Sequence, residues 1–190
     1  DNIIAGAFDN AIHPETYKQF GKLRALSTKF NDTPKKASRP WDTKRDGLVL
    51  SEGGAMFLLS NIKTPDTIAE ISGYAMNNDA YQMVAPHPDG TMIEKCIKDT
   101  LKGHIPDLIN AHATSTPMGD YIEIDALNRL GLQDVWVTAN KSQIGHSMGS
   151  AGAIETALSV LSLKNDVITP SLNIEELEDG HNIKYTPITI

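Results

Sequence analysis

Two short stretches of the sequence hold the residue types that could carry out chemistry. Residues 110–120 read NAHATSTPMGD and residues 140–152 read NKSQIGHSMGSAG. Each places a histidine, His112 or His146, in a turn rich in small and hydroxyl residues. The second stretch also contains GHSMG, which matches the G-x-S-x-G nucleophile elbow of a serine hydrolase. The two stretches therefore offer either a Ser147 nucleophile or a pair of histidines.

The hydrolase alternative fits its own requirements poorly. An elbow needs a strand that runs directly into the first glycine, but KSQI separates the predicted strand VWVTAN from Gly145. The catalytic histidine of such an enzyme follows its serine, and the only histidine after Ser147 is His181, in the polar turn EDGHN. The sequence therefore favours the histidine pair.

His112 and His146 both come after apolar runs that are typical of strands, DLIN and VWVTAN. In α/β sheets, ligands bind at the carboxyl ends of the strands. Two histidines in matched positions of this kind could converge on one reacting oxygen. The small residues beside them would allow a thin substrate arm to approach closely.

Other nucleophile and metal sites are not expected. Cys96 is the single cysteine and lies on the apolar face of a predicted helix, so we interpret it as a buried structural thiol. A single cysteine also fits a reducing, cytoplasmic compartment. The six histidines show no pair at metal-ligand spacing, and we predict neither a metal nor another cofactor.

The elements that would position these residues alternate between strand and helix, which indicates an α/β fold with a mainly parallel sheet. The loop NDTPKKASRPWDTKRDG lies between the first helix and the second strand. We predict that the first strand is buried and that the last helix is buried on most of its circumference. The predicted strands are NIIAGAF, GLVLSEGGAMFLLS (a strand pair, or one strand broken at Gly53-Gly54), IAEISGYAM, DLINAHA and VWVTAN. The predicted helices are HPETYKQFGKLRAL, GTMIEKCIKDTL, TPMGDYIEIDALNRLG and SAGAIETALSVLSL.

Charge is distributed unevenly along the chain. Residues 18–45 hold nine of the seventeen lysines and arginines with only two aspartates, so this segment has a net charge of +7 and the remainder −14. The segment is either a solvated surface or a docking patch for an acidic partner. Few aromatic residues are interleaved with the basic ones, so nucleic acid is not expected. No apolar run approaches the roughly 20 residues that a membrane span needs.

Four motifs together resemble the β-ketoacyl-ACP synthases, the condensing enzymes of fatty acid synthesis, and most closely their type II elongation enzymes. NAHATSTPMGD is similar to the family's N-A-H-G-T-S-T-P-x-G-D, and NKSQIGHSMGSAG to its T-K-S-x-x-G-H-x-x-G-A-A-G. Residues 23–56 are similar to the R-P-x-D-x-x-R-D-G-F-V signature with its upstream helix, and NNDAYQM to S-D-A-Y-H-M. Ser147 falls at a variable position of the family pattern, and Ala113 replaces its usual glycine.

The resemblance implies a thiolase-like fold of two similar α/β halves in αβαβα layers. Residues 1–67 would be the end of the N-terminal half, and residues 68–190 would be the C-terminal half without its last hairpin. The family's nucleophilic cysteine would then precede Asp1, and its C-terminal glycine-rich loop would follow Ile190.

The resemblance also implies an activity, the decarboxylative condensation of malonyl-ACP with an acyl-enzyme thioester. It implies that acyl carrier protein is the partner, that the protein is a homodimer and that no cofactor is needed. A non-catalytic subunit similar to a chain-length factor is the other alternative. The roles implied are enolate stabilisation by His112 and His146, orientation of His112 by Lys141, pantetheine contacts from Thr114 and Thr116, support from Glu155 (paired with Lys141) and Asp120, and carrier docking by Lys22, Arg24 and Lys29.

Overall fold

The computed structural model describes residues 1–188, in which strands and helices alternate. Two single 3₁₀ turns, Pro34–Lys36 and Met148–Ser150, lie between these elements. Among the described residues, no helix is both long and apolar enough to cross a membrane. The strands are β1 (Asn2–Asn10), β2 (Glu52–Ser60), β3 (Leu108–Asn110), β4 (Trp136–Thr138), β5 (Ser171–Leu172) and β6 (Pro187–Ile188). The helices are α1 (Pro14–Lys22), α2 (Thr91–Leu101), α3 (Pro117–Arg129), α4 (Lys141–Ile144) and α5 (Ala151–Asn165).

All four predicted helices are present. α1 begins at Pro14, where a missing N–H costs nothing, and Nδ1 of His13 caps it by accepting a hydrogen bond from the N–H of Glu15 at 3.3 Å. α3 ends at Arg129, and Gly131 follows in the left-handed region with a φ of 73°. The single-turn helix α4 is not predicted, because four residues are too few to show a helical period.

β1 and β2 form an antiparallel sheet in which Asn2 lies opposite Ser60. The prediction of a strand pair or a break at Gly53-Gly54 is wrong, because β2 passes through both glycines in unbroken register. A Cβ added to Gly54 would lie 2.1 Å from Cδ1 of Phe8 on the neighbouring strand. The glycine therefore makes room for an aromatic ring and does not mark a bulge.

The prediction that β1 is buried is also wrong. One face of the β1–β2 sheet points outward, and its residues Ile4, Phe8 and Leu58 are 70%, 71% and 71% exposed. The sheet contacts α5 through β2. An apolar run identifies a strand, but it does not show how many of its faces are covered.

The predicted parallel pairing is present around the candidate site. β3 runs parallel to β4, with Ile109 beside Val137, and Lys184 forms an isolated parallel bridge to Trp136. β5 and β6 are also parallel, so two of the three sheets in residues 1–188 are parallel. Since β3 and β4 are parallel neighbours, their carboxyl ends lie at the same edge.

Residues 68–76, predicted as a strand, form no strand in the structure. The carbonyl oxygen of Ala75 accepts a hydrogen bond from Sγ of Cys96 on α2 at 3.4 Å, whereas Tyr74 and Met76 are 80% and 85% exposed. The alternation of burial expected of a strand is therefore present over residues 72–76, whereas residues 68–71 are all exposed. A strand also needs a neighbour to pair with, and no other part of the described chain pairs with this segment.

The main core lies between α3 and the β3–β4 pair. Its buried apolar residues include Ile124, Leu127, Val137 and Trp41. Trp41 belongs to the predicted loop of residues 31–47, which is a loop in the structure but is not a surface segment. The loop can enter the core because its buried polar side chains form ion pairs and hydrogen bonds with partners there.

Those partners are charged groups. Nε of Arg39 lies 2.8 Å from Oδ1 of Asp42, and neither side chain is more than 1% exposed. Asp42 also accepts hydrogen bonds from the backbone N–H groups of Lys44, Glu175 and Glu176. Charges as deeply buried as these persist only when they are paired and hydrogen-bonded.

The prediction that α5 is buried on most of its circumference is wrong for this chain. Among its fifteen residues only Ala151 and Ser162 are buried, while Leu161 and Leu163 are 49% and 73% exposed. The helix packs along β2, and its remaining sides are only partly covered. The apolar composition of α5 predicts that more of its surface is buried than the contacts within residues 1–188 bury.

Candidate active site

The rings of His112 and His146 meet at the edge where β3 and β4 end. His112 follows β3 after one residue, and His146 follows the short helix α4. The two ring centroids are 5.2 Å apart and the ring planes are 87° apart. The structure therefore brings together the two histidines that the sequence selects, close enough for both to contact one small group.

Backbone hydrogen bonds fix His146 against the segment that leads into β2. Its N–H donates to the carbonyl oxygen of Val49 at 2.7 Å, and its carbonyl oxygen accepts from the N–H of Ser51 at 3.0 Å. Gly145 precedes it with a φ of 72°, and a Cβ there would lie 3.0 Å from the Val49 carbonyl oxygen. This close approach in the left-handed region is why glycine precedes the histidine.

The proton of the His146 ring lies on Nε2. Its Nδ1 accepts a hydrogen bond from the N–H of Met148 at 3.2 Å, and a neutral imidazole that accepts at one nitrogen donates from the other. Burial, followed by the charge of Lys141, lowers the pKa of His146 to about 4. At neutral pH the ring is therefore uncharged and can donate one hydrogen bond from Nε2.

Glu123, on α3, holds the backbone at His112. The N–H groups of His112 and Ala113 donate to its two carboxylate oxygens at 2.7 and 2.8 Å. Desolvation, followed by the charges of Lys141 and His146, lowers the pKa of His112 to about 3. The ring is exposed in this chain, so solvent screens part of this lowering. Because the pKa of His112 shifts downward, the ring is still neutral at pH 7.

Glu123 is a site residue that the sequence motifs do not identify. It lies three residues after Asp120 on α3 and therefore shares a helix face with it. Burial raises the pKa of Glu123, against the hydrogen bonds from Ala113 and His112 and the charge of Lys141. The only sequence signal is this second carboxylate at i+3, directly after the first histidine motif.

The loop between β3 and α3 has an unusual backbone. Ala113 and Ser115 have φ values of 32° and 69°, in the left-handed region that favours glycine. The related family pattern has glycine where this chain has Ala113. The bidentate hydrogen bonds from Glu123 help to hold this loop, and with it His112, in the strained conformation.

Lys141 is a buried cation between carboxylates. Its side chain is 1% exposed and its Nζ forms an ion pair with Oε1 of Glu155, which is itself 13% exposed. Burial raises the pKa of Glu155 and the charge of Lys141 opposes this. The carbonyl oxygen of Lys141 accepts a hydrogen bond from Oγ of Ser38 at 2.6 Å, which fixes the start of α4. The charge of Lys141 is also the second cause, after burial, of the lowered pKa of both histidines.

Thr114 and Thr116 lie in the same loop as His112. Their hydroxyl oxygens are 2.9 Å apart and form a hydrogen bond. Thr114 is 8% exposed, whereas Thr116 is half-buried at the start of α3. Of the two, Thr116 is the more open to a bound molecule in this chain.

Asp120 is placed behind the histidine loop and not beside the rings. It is fully buried, and its Oδ2 accepts a hydrogen bond from the N–H of Trp41 at 3.0 Å. Nε of Arg45 lies 3.6 Å from the same oxygen and also donates to the Thr116 carbonyl oxygen at 3.3 Å. Burial raises the pKa of Asp120 to about 7, against the Trp41 hydrogen bond and the charge of Arg45. Asp120 thus joins two loops.

Ser147 does not have the setting of a nucleophile. It is 1% exposed, and its backbone angles of −86° and 26° show no strained elbow. Its Oγ has no hydrogen-bond partner within residues 1–188, so nothing there could remove its proton. This arrangement argues against the hydrolase alternative.

Replacement of Ser147 by alanine is expected to leave the free energy of unfolding unchanged or to raise it by about 1 kcal/mol, because a buried hydroxyl without a partner is unfavourable. Urea denaturation of the two proteins measures the difference. Ser150→Ala is the matched control, since Oγ of buried Ser150 donates to the Ser147 carbonyl oxygen at 3.0 Å. That variant should lose about 1 kcal/mol. Equal losses in both variants would show that the Ser147 hydroxyl has a partner.

The basic segment of residues 18–45 is less charged at its surface than its composition suggests. Arg39 and Arg45 are 1% and 5% exposed and are held in the buried network. Lys22, Arg24 and Lys29 are exposed, and the ion pairs formed within residues 1–188 do not include them. These three side chains are therefore available to an acidic partner.

No group of three histidine, cysteine, aspartate or glutamate side chains in the described part of the chain is arranged to hold a metal ion.

Two family models match the sequence. The β-ketoacyl synthase N-terminal domain matches residues 1–64, and the β-ketoacyl synthase C-terminal domain matches residues 68–175. The 3-oxoacyl-[acyl-carrier-protein] synthase 2 of Coxiella burnetii is 40% identical over 98% of this chain and 48% of its own length. The 3-oxoacyl-[acyl-carrier-protein] synthase 1 of Escherichia coli K12 is 41% identical over 85% of this chain and 41% of its own length. The chain thus spans about half the length of these curated relatives.

The fold has close counterparts among solved structures. A type II PKS acyl-carrier protein in complex with its ketosynthase matches with a TM-score of 0.91 and 27% identity, over 98% of this chain and 49% of that one. This similarity confirms the thiolase-like α/β fold that the motifs predict.

Proposed function

Since the chain belongs to the β-ketoacyl synthase family, we propose that the intact protein is a 3-oxoacyl-[acyl-carrier-protein] synthase that elongates fatty acyl chains. The observation that carries the proposal is the pair of neutral imidazoles, His112 and His146, with ring centroids 5.2 Å apart. Two imidazole N–H donors this close together suit a reaction in which negative charge develops on a carbonyl oxygen.

In the proposed reaction, an acyl group is first held as a thioester on a cysteine of the intact protein. A malonyl thioester then loses CO₂, and the electron pair of the broken C–C bond forms an enolate. Nε2–H of His146 and the ring of His112 stabilise the enolate oxygen. The enolate carbon attacks the acyl carbonyl, the C–S bond breaks, and the cysteine leaves as a thiolate.

Cys96 does not fit the role of that cysteine. It is the only cysteine among the 190 residues, and its Sγ donates a hydrogen bond to the Ala75 carbonyl oxygen on the segment beside α2. None of the contacts described for His112 or His146 involves it. We therefore place the nucleophile in the family's usual position, in a part of the intact protein that precedes Asp1.

The neutrality of both rings supports the assigned roles. A neutral imidazole has the one N–H donor that the enolate oxygen requires, and a second positive charge beside the Lys141 cation would be unfavourable. Burial, followed by the charge of Lys141, lowers the pKa of both rings. We propose that Lys141, paired with Glu155, keeps the two histidines neutral over the working pH range.

The remaining assigned residues act through position. We propose that the Thr116 hydroxyl, with Thr114 behind it, contacts the pantetheine arm of the substrate. Asp120 and Glu123 are positioning residues, because each accepts backbone N–H donors from loops at the site.

An assay of the intact protein with acyl-carrier and malonyl-carrier substrates tests the proposal. It is expected to release CO₂ and form 3-oxoacyl-carrier in equal amounts, measured by radiolabel release and mass spectrometry. A folded protein that does neither would contradict the synthase function. The alternative of a non-catalytic subunit is not favoured, because the curated relatives above are named synthases and His112, Lys141 and His146 are all present.

Acyl carrier protein is the proposed partner, and Lys22, Arg24 and Lys29 are its proposed docking residues. The structurally similar ketosynthase was solved with an acyl-carrier protein. Exposed basic side chains on an otherwise acidic chain would steer an acidic carrier to this surface.

Reversal of these three charges to glutamate is expected to raise the KM for carrier-linked substrates by about tenfold at low salt. The effect should shrink as salt rises, since the Debye length falls to about 8 Å at physiological ionic strength. Steady-state kinetics of the intact protein at several salt concentrations measure it. Coenzyme A thioesters should be unaffected, and Lys63→Glu, another exposed reversal, should change neither. Equal losses for both substrate types would contradict docking at this surface.

Finer assignments are also part of the proposal. We favour the synthase 2 class because the motifs most closely resemble the type II elongation enzymes, although the synthase 2 and synthase 1 relatives match at similar identity, 40% and 41%. We assign residues 1–67 to the end of the N-terminal half and residues 68–190 to the C-terminal half. A homodimer and a cytoplasmic location are supported by the motifs and by the single cysteine, respectively.

A further inference from the structure

His181 is a buried titratable group that lies outside the histidine pair. It is 6% exposed, and neither ring nitrogen has a hydrogen-bond partner within residues 1–188. The ring lies against that of Tyr121 on α3, with centroids 5.3 Å apart. Its position is fixed by its own N–H, which donates to the Glu178 carbonyl oxygen at 3.1 Å.

The ring of His181 shares a carboxylate with Arg45. Its Nε2 lies 3.9 Å from Oε2 of Glu178, and the same oxygen accepts a hydrogen bond from Nη2 of Arg45 at 2.6 Å. At 3.9 Å the neutral ring makes no hydrogen bond to Glu178. A protonated ring would carry a positive charge and a second N–H donor, and it would then compete with Arg45 for this oxygen.

Arg45 connects this carboxylate to the histidine loop. Its Nη2 also donates to the Pro117 carbonyl oxygen at 2.7 Å and its Nε to that of Thr116 at 3.3 Å. These two residues form the start of α3, directly after the loop that carries His112. Glu178 is the carboxylate closest to the Arg45 guanidinium, since Asp120 lies at 3.6 Å.

We propose that His181 is a proton-sensitive latch: on gaining a proton, its ring draws the Glu178 carboxylate away from Arg45 and so loosens the first turn of α3. The latch stands apart from the proposed reaction, because it uses none of the residues assigned to the chemistry. The Glu178 side chain is 41% exposed and can move, whereas the Arg45 guanidinium is buried and without Glu178 keeps only Asp120, at 3.6 Å. A buried cation that loses a paired carboxylate is less stable, so the first turn of α3 opens more easily in acid.

The charges around His181 set the direction of the pH effect. Burial and the Arg45 cation lower its pKa, while Glu178 and Asp125, the carboxylates facing it, oppose this; Tyr121 is the other titratable side chain in contact. A group whose pKa is lower in the folded than in the unfolded state contributes stability above its unfolded pKa of about 6.5, and this is lost as pH falls. The latch is therefore closed at neutral pH and opens on acidification.

The test compares the wild-type chain with His181→Asn, and with His104→Asn as the control at an exposed histidine. Between pH 7.5 and 5.5, protonation of one such histidine raises the unfolding equilibrium constant by up to about tenfold. This rise in the unfolding equilibrium constant should be present in wild type and in His104→Asn, and it should be absent in His181→Asn. Hydrogen exchange at the Asp120 and Tyr121 amides, corrected for intrinsic rates, should rise in parallel in the first two proteins only.

Two results would overturn the latch. One is the same pH dependence in His181→Asn as in wild type. The other is full protection of the α3 amides in wild type while its stability falls, which would make His181 an ordinary buried histidine. If His181→Asn does not fold, Glu178→Gln serves instead. Without the carboxylate, the ring pKa measured by NMR should fall below that of wild type, and an unchanged pKa would contradict the shared-carboxylate geometry.

Discussion

His146→Ala in the intact protein is expected to slow malonyl decarboxylation by about 10²–10³-fold, the typical effect of removing one donor to a developing oxyanion. His112→Ala should have an effect of the same order. The expectation follows from the geometry: the rings are 5.2 Å apart, and Nδ1 of His146 accepts from Met148, which leaves Nε2–H free to donate. Release of CO₂ from malonyl-carrier measures the rate directly.

Acylation of the nucleophilic cysteine should be spared in both variants, because it does not depend on enolate stabilisation. His104→Ala, at an exposed histidine outside both motifs, is the control and should leave both steps unchanged. If both single variants, His112→Ala and His146→Ala, decarboxylate malonyl-carrier at the normal rate, these histidines do not stabilise the enolate.

Lys141→Met is expected to lower the free energy of unfolding of the chain by about 3–5 kcal/mol, as for other buried ion pairs that lose one partner. The lysine is 1% exposed and is paired with Glu155, and its charge also favours the ionised form of Glu123. The variant keeps the volume of the side chain and removes only the charge. Urea denaturation at pH 7 measures the loss.

The loss in free energy of unfolding caused by Lys141→Met should be larger at pH 8 than at pH 5. Burial raises the pKa of Glu155, so without the lysine the carboxylate is tolerated mainly in its protonated form, and stability falls as pH rises. Lys141→Met/Glu155→Gln should recover part of the loss, and Lys164→Met, at an exposed lysine of α5, should lose little. A Lys141→Met variant as stable as wild type would contradict the role of this ion pair.

Helices could be predicted well because their period is a local property. The apolar spacing and Pro14 are enough to place α1, and α3 is marked by Pro117 and Gly131. Strands were predicted less well, because a strand is defined by its neighbour. Burial alternates over residues 72–76 of the predicted strand, yet no segment within residues 1–188 pairs with residues 68–76.

The candidate site was predictable where it follows sequence motifs. His112 and His146 each lie in a recognisable motif, and the parallel pairing of β3 and β4 brings those motifs together. Glu123 was missed because an acidic residue on a helix is usually solvated, and only the folded loop shows that it accepts two backbone N–H groups.

Burial explains the other differences. Arg39 and Arg45 look like surface charges in a basic segment, but the fold buries both. Their partners are the buried Asp42 and Asp120 and the partly exposed Glu178. A charge count along the sequence cannot reveal such pairs, because the carboxylates come from distant parts of the chain. Lys22, Arg24 and Lys29 are exposed in the structure, as both the solvated-surface and the docking interpretation of the basic segment require.

A crystal structure of the intact protein with a non-reactive malonyl-pantetheine analogue tests the central claim most directly, because the claim is geometric. The thioester carbonyl oxygen of the analogue should lie about 2.7–3.1 Å from Nε2 of His146 and from a ring nitrogen of His112. An analogue bound in the site with its carbonyl oxygen beyond hydrogen-bond distance of both rings would contradict the role assigned to the histidine pair.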